Sequence, residues 1–212
     1  MENSTLVPAG ETRAEIHVLN SRFVACAGPA ASVEDARAFI ARIKSEFPDA
    51  THHVPAFVIG SGASVITHSS DDGEPSGTAG RPALTVLQGS GLGDVVVVVV
   101  RYFGGTKLGT GGLVRAYQEA VRAVLAVLPR GEKTTTVTAM VELPYSLFER
   151  ARQAVAAHRG EILDESFTEQ VTLAVRLRET DWAGFQADLV ELSRGQVAAE
   201  VLSTDPGTIF PI

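Results

Sequence analysis

The sequence predicts a mixed α/β (α+β) protein with two domains: an N-terminal α/β domain over residues 1–131 and a ferredoxin-like βαββαβ domain over residues 132–212. Two observations predict this fold class. Apolar residues switch repeatedly between the alternation typical of strands and the three-to-four-residue spacing typical of helices. The run PRGEK at 129–133 combines helix-breaking residues with charge, which is typical of a linker.

The N-terminal half begins with extended segments and one clear helix. Residues 11–28 are typical of two strands. Ser32 is a good N-cap for a helix that ends before Pro48, because apolar residues recur between them at helical spacing. Residues 51–60 alternate like a strand, in which Pro55 favours an edge position or a bulge.

A buried strand between two helices follows. Pro82 suits the first turn of a helix near residues 80–88. The run Val95–Val100 is apolar on both faces and therefore predicts a central strand covered on both sides. Residues 110–128 form the clearest helix, because their apolar side chains make one stripe. The stripe consists of Leu113, Val114, Tyr117, Val121, Val124, Leu125 and Leu128.

The C-terminal half repeats strand and helix patterns in the order strand, helix, strand, strand, helix, strand. This order defines the ferredoxin-like βαββαβ unit. The predicted segments are 134–143, 146–158, 160–166, 170–178, 181–193 and 196–203.

Composition limits the classes of protein to which the chain can belong. Hydrophobic residues make up 45% and charged residues 20%, as in ordinary globular proteins. No apolar run approaches the roughly 18–20 residues of a membrane-spanning helix, and the N-terminus lacks the basic start and apolar core of a secretory signal. The single cysteine, Cys26, excludes an internal disulfide and a multi-cysteine zinc site. We therefore expect a cytoplasmic protein without membrane contact, metal or cofactor.

The net charge of −7 is unevenly distributed. Residues 1–131 contain 11 basic and 12 acidic residues, whereas residues 132–212 contain 7 and 13. The acidic second half is a poor nucleic-acid-binding surface, since such binding depends on basic groups, and we expect no DNA partner. The local basic excess lies within residues 95–131, where Glu119 is the single acid. The basic residues of that segment are Arg101, Lys107, Arg115, Arg122 and Arg130.

The loop RYFGGTKLGTGG at 101–112 is the strongest site signal, because it follows a predicted strand and precedes a predicted helix, as phosphate-binding loops do. Its spacing fits neither nucleotide-binding standard. Thr110 and Gly111 stand where a P-loop has Lys and Ser or Thr, and Val114 replaces the last glycine of a dinucleotide fingerprint. The sequence therefore does not support ATP or NAD binding.

Two interpretations of this loop stay open. One is a looser anion site that uses the N–H groups of Gly111 and Gly112 with Lys107 and Arg101. The other is a tight connection whose glycines only let the chain turn and the helix pack closely.

Other polar groups favour structural roles. Adjacent Asp71 and Asp72 do not alternate as calcium ligands do, which favours an acidic turn, and Glu74 can pair with Arg101 or Lys107. His52 and His53 are consecutive in one strand, so at most one faces a cleft. Arg115, Glu119 and Arg122 share one helix face, which is typical of a solvated ion-pair ladder.

Four strings are distinctive: NSRFVACAG (20–28), DATHH (49–53), SDDGEPSGTAGRP (70–82) and VVVVVRYFGGTKLGTGGLVRAY (96–117). Together they resemble the IMPACT/YigZ-like family over about residues 10–130. Residues 132–205 resemble the smaller second domain of bacterial members by their arrangement. One departure is Val54–Pro55, where the family tends to have a cysteine and an aromatic residue, which weakens any cysteine chemistry there.

The resemblance implies a ribosomal-protein-type α/β fold for the N-terminal domain and a C-terminal domain similar to one in elongation factor G. Eukaryotic members regulate the general amino-acid-control response by competing for the activator of a translation-initiation kinase, and bacterial members have no agreed activity. The site residues suggested by the resemblance and by charge are His52, Glu74, Thr78, Arg81, Arg101, Tyr102, Phe103, Lys107, Gly109, Gly111, Gly112 and Arg115.

We therefore expect a non-enzymatic, translation-associated protein that binds RNA, the ribosome or a regulatory protein through its basic glycine-rich loops. Tyr102 and Phe103 could stack on RNA bases or simply seal the end of the strand. The alternative is an enzyme for a small phosphorylated or acidic substrate, with Arg101 and Lys107 holding the anion and Glu74 or His52 moving protons. The sequence names no catalytic residue with certainty.

Overall fold

The computed structural model describes residues 5–60 and 64–212. The strands in these ranges are β1 Thr5–Pro8, β2 Thr12–Val18, β3 Ser21–Pro29, β4 His52–Ile59, β5 Ile66–Ser69, β6 Val95–Tyr102, β7 Arg130–Leu143, β8 Glu161–Phe167, β9 Val171–Arg178 and β10 Ala199–Pro211. The α-helices are α1 Val33–Glu46, α2 Gly80–Gly89, α3 Gly109–Val127, α4 Phe148–Ala157 and α5 Glu179–Ser193. The predicted mixed α/β class is confirmed.

The chain divides into two compact units. Of the described residues, the first unit contains 5–60, 64–132 and 209–212, and the second contains 133–208. None of the helices in the described ranges is both long and apolar enough to span a lipid bilayer.

The first unit is built on a five-stranded sheet in the order β2-β3-β6-β4-β5. Strand β6 is its centre, and each of the six valines Val95–Val100 is fully buried. Val95, Val97 and Val99 pack with α2 and α3, whereas Val96, Val98 and Val100 pack with α1 on the opposite face. The prediction of a central strand covered on both sides is therefore correct.

The neighbours of β6 explain why Pro55 is tolerated in β4. That strand is not at the edge, as proline suggested, because it pairs with β6 on one side and β5 on the other. The pairing with β5 ends where Ser69 lies opposite Ala56, one residue from Pro55. The Pro55 carbonyl accepts a bond from the Ser70 N–H at 3.2 Å, so the missing proline N–H faces this end of the ladder and interrupts none of its bonds.

The second unit has the order β7-α4-β8-β9-α5-β10, with the strands arranged β10-β7-β9-β8 in the sheet. This is the ferredoxin-like order predicted from the sequence. Two details differ from the expectation. The segment 129–133 is not a loop linker, because β7 already begins at Arg130, and the C-terminal tail extends β10 to Pro211.

Candidate functional site

A cavity of about 360 Å³ lies at the start of α3. Three segments enclose it: the turn before α2, the end of β6 and the loop that enters α3. Its lining residues are Glu74, Pro75, Arg101, Phe103, Lys107, Leu108, Gly109, Thr110 and Leu113. The two glycine-rich segments singled out in the sequence therefore meet at one place.

A buried ion pair forms one wall of this cavity. The Arg101 Nη1 donates to Glu74 Oε1 at 2.6 Å, and the two residues are only 4% and 8% exposed. The hydroxyl of Tyr117 donates to the same Glu74 oxygen at 2.7 Å. Burial, followed by the charge of Glu74 and this hydrogen bond, raises the pKa of Tyr117, which keeps the hydroxyl protonated as a donor.

The guanidinium of Arg101 is held on several sides. Its Nη2 donates to Ser21 Oγ at 3.2 Å, and its Cζ lies 5.4 and 5.5 Å from the ring centres of Phe23 and Phe103. Its Nε is buried and has no hydrogen-bond partner among the described residues. A buried, unsatisfied N–H is costly, so this group is the unusual element of an otherwise complete network.

His52 lies behind the polar wall, next to Glu74, and does not itself line the cavity. Its Nδ1 lies 2.8 Å from the carbonyl oxygen of Asp72, which can only accept, so Nδ1 carries a proton. Its Nε2 lies 3.9 Å from Glu74 Oε2. His53 lies on the other side of β4, where its Nε2 is 2.8 Å from the Phe47 carbonyl. Of the two histidines, His52 is therefore the one beside the cavity.

The first turn of α3 presents free backbone donors near the cavity. Within the part of the chain that the structure describes, no side chain caps this end, and no acidic residue lies in the first turn, although Glu74 lines the same cavity. Lys107, exposed beside it, adds a positive charge. The positive end of a helix dipole and a neighbouring lysine together favour an anion.

Glycine occupies the positions of this loop for different physical reasons. A Cβ on Gly104 would lie 1.8 Å from the backbone oxygen of Asn20, and Gly105 and Gly109 have φ of +85° and +69°. These three serve packing and turning. A Cβ on Gly111 would meet no atom within 4 Å, and its φ is not in the left-handed region. The fold therefore does not require Gly111, although glycine in a helix costs about 1 kcal/mol relative to alanine.

The remaining site residues of the sequence analysis lie outside the cavity. Thr78 is buried, and its hydroxyl donates to the Pro75 carbonyl at 2.7 Å within the turn. Tyr102 faces α1, and its hydroxyl donates to Asp49 at 3.0 Å while the Arg22 guanidinium covers its ring. Gly112 lies on the first turn of α3. Arg81 lies on the first turn of α2, Arg115 lies further along α3, and both arginines are exposed.

The acidic turn is structural, as its spacing indicated. Asp71 Oδ2 accepts the N–H of Gly77 at 2.8 Å, and Oδ1 accepts those of Ala79 and Gly80 at 3.0 and 2.8 Å, so this carboxylate caps the start of α2. Among the described residues, no cluster of histidine, cysteine and acidic side chains could hold a metal ion. Burial raises the pKa of Cys26 to about 11, so its thiol is unreactive at neutral pH.

The cap predicts a pH-dependent stability. Burial alone would raise the pKa of Asp71, but the three N–H bonds from Gly77, Gly80 and Ala79 outweigh it and lower the pKa. A carboxyl with a lowered folded pKa stabilises fully above its unfolded value of about 3.9 and loses this contribution as pH falls further. We expect Asp71→Asn to cost about 1–2 kcal/mol at pH 7 in urea unfolding. The difference from wild type should narrow below about pH 4, and a constant difference would contradict the charged cap.

A basic surface lies on the α2 and α3 side of the first unit. Five exposed cations belong to it, and none forms an ion pair within the described residues. Glu119 is the single acidic residue on α2 and α3. The predicted ladder of Arg115, Glu119 and Arg122 is therefore absent. The five residues, which we call the basic face, are Arg81, Lys107, Arg115, Arg122 and Arg130.

The opposite side of the unit, around α1, differs in charge. Arg42 bonds Glu11 at 2.6 Å and Glu46 at 3.1 Å, and Lys44 bonds Asp72 at 3.0 Å. Arg42 and Lys44 are thus paired with carboxylates, whereas Arg37 of α1 and the cations of the basic face form no ion pair within the described residues. A second cavity of about 470 Å³ lies within the basic face, between the C-terminal halves of α2 and α3, and Arg122 and Arg130 line it.

Comparison with known proteins shows the family to which the chain belongs. Residues 19–125, which hold the cavity and most of the basic face, match the Impact N-terminal domain. The chain belongs to the IMPACT family. Residues 141–196 match DUF1949, a domain of unknown function.

Relatives of this IMPACT family member extend over nearly the whole chain. An IMPACT family member of Haemophilus influenzae is 39% identical over 93% of this chain and 96% of its own length. The IMPACT family member YigZ of Escherichia coli is 38% identical over 92% and 96%. A crystal structure of a hypothetical protein aligns with a TM-score of 0.62 and 36% identity, covering 96% of this chain and 99% of that one.

Three residues at the site of this IMPACT family member are not predictable as site residues from the sequence. Tyr117 belongs to the apolar stripe of α3, and only its hydroxyl indicated that a buried partner was needed. Ser21 and Phe23 lie in β3, 80 and 78 positions before Arg101. No local pattern links them to Arg101.

Proposed function

We propose that this IMPACT family member is a non-enzymatic protein of translation, acting in the cytoplasm, that binds single-stranded RNA through the basic face. The observation that carries this proposal is the set of five exposed cations without carboxylate partners on one side of the first unit. RNA phosphates supply the missing negative charges, and release of their counterions drives such binding. The link to translation rests on the resemblance to eukaryotic family members.

Single strands are favoured over duplexes because an aromatic ring stands beside the basic face. Phe103 is 46% exposed and can stack on an unpaired base. Tyr102, the other aromatic residue of this loop, does not support the proposal, because its ring and hydroxyl are engaged by Arg22 and Asp49.

The enzyme alternative receives less support from the geometry. Glu74 would have to accept a proton, but its Oε1 already receives bonds from Arg101 and Tyr117. The same pairing means that Arg101 brings little net positive charge for a substrate anion. We therefore assign the phosphate contacts to exposed residues such as Lys107.

The test is the salt dependence of RNA binding. Fluorescence anisotropy with a labelled single-stranded RNA, between 50 and 200 mM salt, compares wild type with the triple variant Lys107→Gln/Arg115→Gln/Arg122→Gln. Loss of three phosphate contacts should reduce the slope of log K against log salt by about 2.

The matched control removes three cations from α1, in the variant Arg37→Gln/Arg42→Gln/Lys44→Gln. We expect the control to bind RNA as wild type does. Equal losses in both triple variants would contradict a binding surface on α2 and α3. Partner binding that is insensitive to salt and to both variants would indicate a protein interface instead.

A further inference from the structure

We propose that the cavity at the start of α3 binds one nucleotide unit, with its phosphate at the first turn of α3 and its base against Phe103. The ligand chemistry is a single phosphate joined to a planar ring, supplied either by a free nucleoside monophosphate or by one residue of an RNA strand. Binding of one residue of an RNA strand rests on the proposed function, whereas binding of a free nucleoside monophosphate does not.

The cavity has the size and composition of a small-molecule site. Its volume of about 360 Å³ lies within the range of ordinary ligand pockets, roughly 300–1,000 Å³. Pro75, Leu108, Leu113 and the Phe103 ring supply apolar surface, and the polar lining residues are Glu74, Arg101, Lys107 and Thr110. Such a cavity orients a ligand that is apolar along its body and charged at one end.

The charged end is the first turn of α3. Among the described residues, no side chain caps its N–H groups and the turn itself holds no acidic residue, and Lys107 lines the same cavity. Gly111 leaves open space above the backbone, although the fold does not require glycine there. A phosphate that approaches the helix end closely explains both the uncapped N–H groups and the glycine at position 111.

The base end is the wall formed by Arg101 and Phe103. Arg101 lines the cavity and is only 4% exposed, and Glu74 and Ser21 hold its guanidinium in place. It therefore forms a fixed wall against which a planar base can lie. The ring of Phe103 lies 5.5 Å from the Arg101 Cζ and remains 46% exposed, so one face can stack on a base.

Glu74 limits the ligand to one phosphate. Its carboxylate lines the cavity, and a second or third phosphate would add repulsion that Lys107 alone cannot offset. The same carboxylate can accept a bond from an exocyclic amino group of a base. Nucleoside triphosphates are therefore excluded as ligands, in agreement with the absence of P-loop spacing.

Isothermal titration calorimetry tests the inference with adenosine monophosphate, uridine monophosphate, adenosine and inorganic phosphate. We expect at least one monophosphate to bind more tightly than either adenosine or phosphate alone. Phe103→Ala, which removes an exposed ring, should weaken that binding at least about fivefold, and Lys107→Gln should also weaken it. Arg122→Gln is the matched control, because this arginine lies on the basic face but does not line the cavity.

Competition with labelled single-stranded RNA separates the two sources. If the monophosphate displaces RNA and Phe103→Ala weakens both, the cavity holds a nucleotide of the strand. If the monophosphate binds without displacing RNA, the cavity serves a free nucleotide. Failure of every monophosphate to bind, together with unchanged RNA binding by Phe103→Ala, would overturn the inference. RNA binding that still fell in Arg122→Gln would leave the proposed function standing.

Discussion

Replacement of Arg101 by methionine is expected to lower the free energy of unfolding by about 3–5 kcal/mol. The guanidinium and Glu74 are both buried and lie 2.6 Å apart. Without Arg101, the Glu74 carboxylate would retain the Tyr117 hydroxyl and a histidine 3.9 Å away, too little to replace water around a buried charge. Urea unfolding at pH 7 measures the loss.

The control is the double variant Glu74→Leu/Arg101→Met. An apolar pair of similar volume removes both charges together, so we expect the double variant to be more stable than Arg101→Met. The decrease in unfolding free energy that remains in the double variant measures the cost of leaving the Tyr117 and Ser21 hydroxyls without these hydrogen-bond partners. An Arg101→Met protein within about 1 kcal/mol of wild type would contradict a tightly buried pair.

Gly104→Ala is expected to cost at least about 3 kcal/mol, at the upper end of the overpacking range. The added Cβ would lie 1.8 Å from the backbone oxygen of Asn20 and 2.1 Å from its carbonyl carbon. Backbone atoms cannot rotate away as a side chain can, so either the turn between β2 and β3 or the loop after β6 must move. Thermal and urea unfolding measure this cost.

Gly111→Ala is the matched control within the same loop and helix. Because a Cβ there meets nothing within 4 Å, alanine should raise stability by about 0.5–1 kcal/mol. If Gly104→Ala and Gly111→Ala had similar free energies of unfolding, the conclusion that only Gly104 is tightly packed would be wrong. Weaker nucleotide binding by the more stable Gly111→Ala would support a ligand at the helix end.

Much of the fold is predictable because local patterns determine it. The valine run Val95–Val100 can be stable only where both sheet faces are covered, and it is the central strand. Ser32 was expected to cap α1, and its Oγ accepts the Asp35 N–H at 3.0 Å. Pro55 led to the wrong prediction of an edge strand. Proline excludes only one backbone hydrogen bond, and whether that bond is needed depends on where the neighbouring strand ends.

The site was less predictable because its contacts join distant segments. Spacing placed Glu74 and Arg101 in neighbouring loops, but it could not show that their pairing is buried, which depends on Ser21, Phe23 and Tyr117. Charge patterns on helices also have limits. Residues three and four positions apart share a face, but exposed pairs gain too little energy to fix their side chains, and the predicted ladder on α3 does not form.

The most direct test of the central claim is an NMR titration of the full-length, ¹⁵N-labelled protein with a single-stranded RNA oligonucleotide. Binding through the basic face and the cavity predicts shifted amide signals in residues 103–115 and around Arg122, with those of α1 unchanged. Shifts confined to α1 or to residues 133–208, or no shifts at low salt, would contradict the assignment of RNA binding to this side of the first unit.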